Sequence, residues 1–220
     1  MEIFLNKKKS LMFHEVLDDL TINSGWHLSS KGRYTISTQK LKEIINYYGD
    51  SVNYTFDDGG ISNLVASVEL EKSNIKGIFF IATHYIGKPG FLNINQLKSL
   101  SKNHYVFAHG HEHLMNNFDY DKLKNDWKIS LKFMETHGLS KKTICLPGGT
   151  FSRNHNIIFN ELSIENIFHS APNNYLINFL YGKTINFLPR FVVDKDFKKI
   201  NEFSLSSFKS ITKQLINYFK

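Results

Sequence analysis

The chain has 220 residues, 41% of them hydrophobic and 21% charged, the balance of one globular domain with its own core, which excludes a disordered chain. Its net charge of +7, from 27 basic and 20 acidic residues, is scattered rather than gathered on a basic helix, which argues against nucleic acid and leaves a weak bias towards anionic partners. A single cysteine, Cys145, excludes an internal disulfide framework and a multi-cysteine zinc site, so a metal would need histidine and carboxylate ligands.

In chain order, SLMFHEV (10–16) reads as a strand and TISTQKLKEIINYYGD (35–50) as a helix capped by Ser37 or Thr38. SVNYTFDDGG (51–60) is a strand entering a glycine turn, and ISNLVASVELEKSN (61–74) is helical, with Leu64, Val68 and Leu70 or Glu71 spaced for one buried face. KGIFFIAT (76–83) suits a strand buried on both faces. NINQLKSLSKN (93–103) follows as a helix, HYVFAHGHEH (104–113) as a strand ending in a histidine loop, and YDKLKNDWKISLKFMETHG (120–138) as the longest helix, closed by Gly138. KTICLPGG (142–149) is again a strand and glycine turn, ENIFHSA (165–171) and NFLPRFVV (186–193) are the last strands, and SLSSFKSITKQLINYF (204–219) is a terminal helix.

No repeat or linker divides the chain, so one domain over 1–220 is expected. The alternation predicts an α/β class with βα units around a parallel sheet or barrel. In such folds the chemistry collects at the carboxyl ends of the strands, and Asp57, Asp58, His109, His113 and Pro147 all fall at such ends.

Adjacent carboxylates at a strand end point in different directions, so one of Asp57 and Asp58 can bind a metal while the other stays free as a base; an aspartate turn capping the next helix is the alternative. His109 and His113 lie four apart in AHGHEHLM, close enough for both imidazoles to face one point. Two histidines and a carboxylate make a zinc site that keeps a position open for water, although other divalent transition metals accept the same donors. Three histidines within five residues at a strand end are hard to explain as core or surface positions; His111, between the pair, is left out of the ligand set.

TFDDGG, HGHEH and LPGG together resemble, in order and spacing, the motifs of NodB-type polysaccharide deacetylases (carbohydrate esterase family four), over about residues 10–195. The resemblance implies a distorted (β/α) barrel, with Asp58, His109 and His113 as metal ligands and Asp57 as catalytic base. Two departures stand out: Gly110 replaces the usual Ser or Thr after the first metal histidine, and CLPGG replaces a third motif that carries an arginine and an aromatic residue. The family's oxyanion donor is the backbone N–H at that aromatic position, here Gly148. The family's late catalytic histidine has no counterpart in the C-terminal segment. LMFHEV instead resembles the YHxV strand of circularly permuted deacetylases, which makes His14 the candidate general acid, with a structural strand histidine as the alternative. Arg190, in LPRFVV, matches an arginine after proline in that branch and is a candidate to hold Asp57 ionised; a purely structural salt bridge is the alternative.

The function these residues imply is metal-dependent removal of an N-acetyl group from an amino sugar in a glycan or glycan precursor, lipid-linked or anionic glycans included. Deformylation or other C–N hydrolysis on a sugar, and a carbohydrate-binding relative without catalysis, are the competing readings. No apolar run of signal-peptide or membrane-spanning length follows the lysine cluster of the opening MEIFLNKKKSLMFHEV, so a cytoplasmic location, or one against a membrane surface, is expected.

Overall fold

Seven short parallel strands close into a barrel: β1 (Lys9–Phe13), β4 (Val52–Phe56), β5 (Ile78–Ile81), β6 (Tyr105–Ala108), β7 (Thr143–Cys145), β8 (Asn166–His169) and β9 (Asn186–Val192), in that order around the ring. This computed structural model describes residues 8–26, 28–115, 119–149, 151–170, 185–194 and 196–198. Closure is made by the first strand against the last, with Ser10, Leu11 and Met12 opposite Arg190, Phe191 and Val192. Among the described residues, five α-helices accompany the strands: α1 (Thr38–Tyr48), α2 (Asn63–Lys72), α3 (Ile94–Asn103), α4 (Tyr120–Thr136) and α5 (Arg153–Glu161).

The strands carry apolar residues on both faces because both faces are covered. Phe13, Phe56, Phe79, Ile81, Val106 and Ile144 belong to the large core under the helices, while Phe80, Phe107, Cys145, Phe168 and Leu188 form a smaller cluster inside the ring. Helix starts follow local side-chain caps: Ser37 accepts from the Lys40 N–H, Asn93 forms a reciprocal box with Gln96, and Asp119 accepts from the Lys122 N–H. Among the described residues no helix is long and apolar enough to cross a membrane.

Three local expectations are corrected. The strand expected over 10–16 breaks at His14, and Glu15–Val16 (β2) leaves the barrel to pair with Thr35–Ile36 (β3), so the helix expected from 35 begins at 38. In α2 the buried residues are Asn63, Ala66, Ser67, Glu69 and Leu70, and Val68 is 48% exposed; the buried face is mostly small or polar, which hydrophobicity alone does not show. Helix α5 carries few apolar residues and was not anticipated. The terminal helix expected over 204–219 lies outside the described residues.

At the junction of β2, α2 and the segment 17–34 lies a buried carboxylate. Glu15 is 3% exposed and accepts from the Ser24 and Ser62 hydroxyls, the latter at 2.6 Å. It lies so close to Gly25 and Gly60 that a Cβ added at either would fall 2.0 and 2.4 Å from its Oε1. Burial, against the pull of the two serines, pushes its pKa up from 4.5 to about 7. Glu15 thus holds its proton more tightly folded than unfolded. Its stabilising contribution is full below pH 4.5 and is lost as the pH rises to about 7. Thermal melts should show Glu15→Gln gaining on the wild type across that window, by roughly 3 kcal/mol in total; a constant offset would mean that Glu15 titrates normally.

Candidate functional site

The turn after β4 separates its two aspartates. The Asp57 N–H still donates to Phe13 O at 3.0 Å, continuing the β1–β4 ladder, whereas Asp58 adopts φ +76° and Gly59 φ +82°. The reversal aims one carboxylate across the barrel interior and the other towards the histidine loop.

Asp58 Oδ1 lies 3.4 Å from His109 Nε2 and 3.5 Å from His113 Nε2, and it is buried with no hydrogen-bond partner. The three donor atoms lie within 4.8 Å of one another. His109 Nδ1 donates to the Cys145 carbonyl at 3.0 Å, which fixes the tautomer and leaves Nε2 as the free lone pair. Burial pushes His113 down to about 4, with His109 adding to the effect, so it is the neutral imidazole a metal ligand must be. Burial opposes protonation of His109 too, but Cys145, Asp57 and Asp58 outweigh it and hold its pKa well above the ordinary value. A cation at this point is therefore favoured by the negative charge around it.

The loop His109–His113 is held from α4. Asp126, buried in the apolar stripe of that helix, accepts the N–H groups of His111 and Glu112 at 2.8 and 2.7 Å. The Gly110 carbonyl accepts from Ser130 Oγ at 2.9 Å and from the Thr83 N–H at 3.1 Å. Gly110 has φ +76° and a Cβ there would lie 3.0 Å from Asp126 Oδ2, so a side chain at this position would be strained. His111 turns away, its Nδ1 2.9 Å from Thr83 Oγ1.

Asp57 meets Arg190 in a two-toothed pair, Nη1 to Oδ1 at 2.5 Å and Nη2 to Oδ2 at 2.8 Å. Arg190 also donates to Thr55 Oγ1 at 3.1 Å and Cys145 Sγ at 2.8 Å, and lies over the Phe80 ring at 5.3 Å. Burial alone would raise the Asp57 pKa, but the guanidinium and His109 more than reverse it and hold the carboxyl well below the usual range.

All seven candidate residues, His14, Asp57, Asp58, His109, His113, Gly148 and Arg190, line one cavity of about 380 Å³. Its remaining walls include Trp26, Ser30 and Tyr34, which the sequence reading missed because the segment 17–34 has no periodicity or motif. Asp126 was also missed, although an acid beside Leu123 and Trp127 on a helical stripe is a legible oddity. Arg190→Met would leave Asp57 buried and unpaired. It should cost about 3–5 kcal/mol in urea melts at neutral pH, partly recovered in acid as Asp57 takes up a proton; a cost under about 1 kcal/mol would be that of an exposed pair.

No family model and no curated protein matches this sequence. Among solved structures, the chain is similar to the Streptococcus pyogenes deacetylase PplD, seen in complex with acetate, with TM-score 0.71 and 15% identity over 93% of this chain and 97% of that one. It is also similar to IcaB from Ammonifex degensii, with TM-score 0.66 and 17% identity over 94% and 96%. A de-N-acetylase from Aggregatibacter actinomycetemcomitans gives TM-score 0.66 and 14% identity over 92% and 98%. With a closed parallel barrel, the three motifs at its strand ends and these structural neighbours, the chain has the fold of the NodB-type polysaccharide deacetylases.

Proposed function

We propose that this chain is a metal-dependent hydrolase that removes N-acetyl groups from an amino sugar in a glycan or glycan precursor. The observation that carries the reading is the division of labour between neighbouring carboxylates. Asp58 Oδ1 is buried, unpartnered and directed at two histidines, while Asp57 is neutralised by Arg190 in the same cavity. The donor set fits a divalent transition metal, zinc first, with Asp58, His109 and His113 as the residues that would hold it. When bound, such an ion would acidify a water and polarise the acetamide carbonyl.

The chain's own residues supply the rest. Asp57, kept ionised by Arg190, accepts the proton of the attacking water; each of its oxygens retains a lone pair beyond the one used by the guanidinium. The backbone N–H at Gly148, in the left-handed turn Pro147–Gly149, is the donor for the developing oxyanion. His14 is the acid that protonates the departing amine. Its ring lines the cavity, and its Nδ1 is buried without a partner. The names of the structural neighbours, a deacetylase with acetate and a de-N-acetylase, support this chemistry.

Purified protein loaded with zinc should hold close to one ion per chain and release acetate from N-acetylated hexosamine oligomers, and the double variant Asp58→Ala, His109→Ala should lose both properties. Absence of metal in the wild type after zinc dialysis would overturn the reading; metal without acetate release would favour a carbohydrate-binding relative. Asp126→Ala should loosen the histidine loop and weaken zinc affinity about 10- to 100-fold in a chelator competition.

A further inference from the structure

One wall of the cavity belongs to no motif. It is built by the segment 17–34, between β2 and β3, and each of its two aromatic residues rests against one of the site's histidines. Trp26 lies 4.7 Å from the His113 ring, and is braced by Tyr85 at 4.9 Å and Phe91 at 5.3 Å, centroid to centroid. Tyr34 stacks on His14 at 4.7 Å and 26°, with the Arg33 guanidinium 5.2 Å from its centroid. The segment is anchored beside the site, where Ser24 bonds to Glu15 and accepts from the Ser62 N–H at 2.9 Å, and the Gly25 N–H donates to Gly90 O at 2.8 Å.

The glycine turn of the lining cannot carry a ring. Gly148 and Gly149 both have positive φ, and an added Cβ would meet Met115 Sδ at 2.8 Å and Ser170 Oγ at 1.6 Å. The lining also has a definite charge character. Its one lysine or arginine among the described residues is Arg190, whose two terminal nitrogens are already committed to Asp57. Among the described residues the lining therefore offers rings and hydroxyls, with no lysine and no arginine beyond the one paired to Asp57.

We infer that Trp26 and Tyr34 are the specificity-determining residues of this site, a stacking wall that receives the apolar face of an uncharged N-acetylated amino sugar. The inference rests on the proposed deacetylase reading for the identity of the sugar, and on the wall's geometry for the residues. An aromatic face and a sugar ring share a flat apolar contact, which a tryptophan supplies with little loss of side-chain freedom.

The chain has two tryptophans, and Trp127 is 1% exposed, packed on Phe159, so a ligand in the cavity can quench only Trp26. Fluorescence titration of the zinc-loaded protein with the neutral tetramer of N-acetylglucosamine should give a saturable quench, absent in Trp26→Phe. In acetate release from the same tetramer, Trp26→Ala should raise KM by roughly tenfold, with a smaller change in kcat and unchanged zinc content. Trp26→Phe should restore most of that loss. Tyr34→Ala should raise KM similarly, and a 6-phosphorylated sugar should bind less well than the neutral one. No quench in the wild type, a quench that survives Trp26→Phe, or an unchanged KM in Trp26→Ala would overturn the inference. Acetate release with unchanged KM would remove the wall and leave the deacetylase reading standing. A Trp26-dependent quench without acetate release would do the reverse.

Discussion

The buried pair between Asp57 and Arg190 is the constraint around which the rest of the site is arranged. A guanidinium 1% exposed stays in a protein interior only with its charge compensated, and of its nitrogens only Nε is left without a partner. Here a carboxylate takes two donors, a threonine hydroxyl shares one, and the Phe80 face covers the cation. The pair ties β4 to β9 across the barrel interior. A small residue at Cys145 lets the guanidinium lie against its sulfur, at the position where the resembling family's third motif carries an arginine. Arg190 thus brings its charge into the interior from β9.

That pairing also decides what Asp58 can do. Two adjacent carboxylates would repel each other in a buried site. With Asp57 paired to Arg190, Asp58 is the carboxylate that faces both imidazoles, its bare Oδ1 beside their two nitrogens. The histidine loop is held at that place by hydrogen bonds from outside it: Asp126 takes two of its N–H groups and Ser130 reaches its Gly110 carbonyl. Helix α4 therefore acts on the site through backbone orientation, in the way outer hydrogen bonds orient ligands elsewhere. The glycine at 110 gives up a side chain of its own and leaves room for that contact.

The barrel strands were legible because each is a short apolar run bounded by a turn, and both faces are buried. IFFI and YVFA need no context to be read as interior strands. Errors arose where local pattern and tertiary role diverge. Val68 has the spacing of a core residue, yet α2 buries Ala66 and Ser67 instead, close to the turn where Asn63 Nδ2 donates to His14 O. Thr35–Ile36 looks like a helix start until Glu15–Val16 leaves the barrel to pair with it. Helix α5 depends on an Ser152 cap and on Ile158 and Phe159 for its buried face, too sparse a stripe to announce itself.

The ligand and base candidates could be read from the chain alone because they lie in two short turns, one with neighbouring aspartates and one with histidines four residues apart, where backbone geometry brings side chains together whatever the rest of the fold does. Arg190, 133 residues from Asp57, could be offered as its partner only through a family resemblance, and the tertiary structure made the contact itself. It also decided that His14 would face the same cavity and that an unpatterned segment would bring Trp26 and Tyr34 to its wall. Those contacts exist only once the first strand closes on the last, since a pairing across most of the chain leaves no local period, cap or turn by which a sequence could show it.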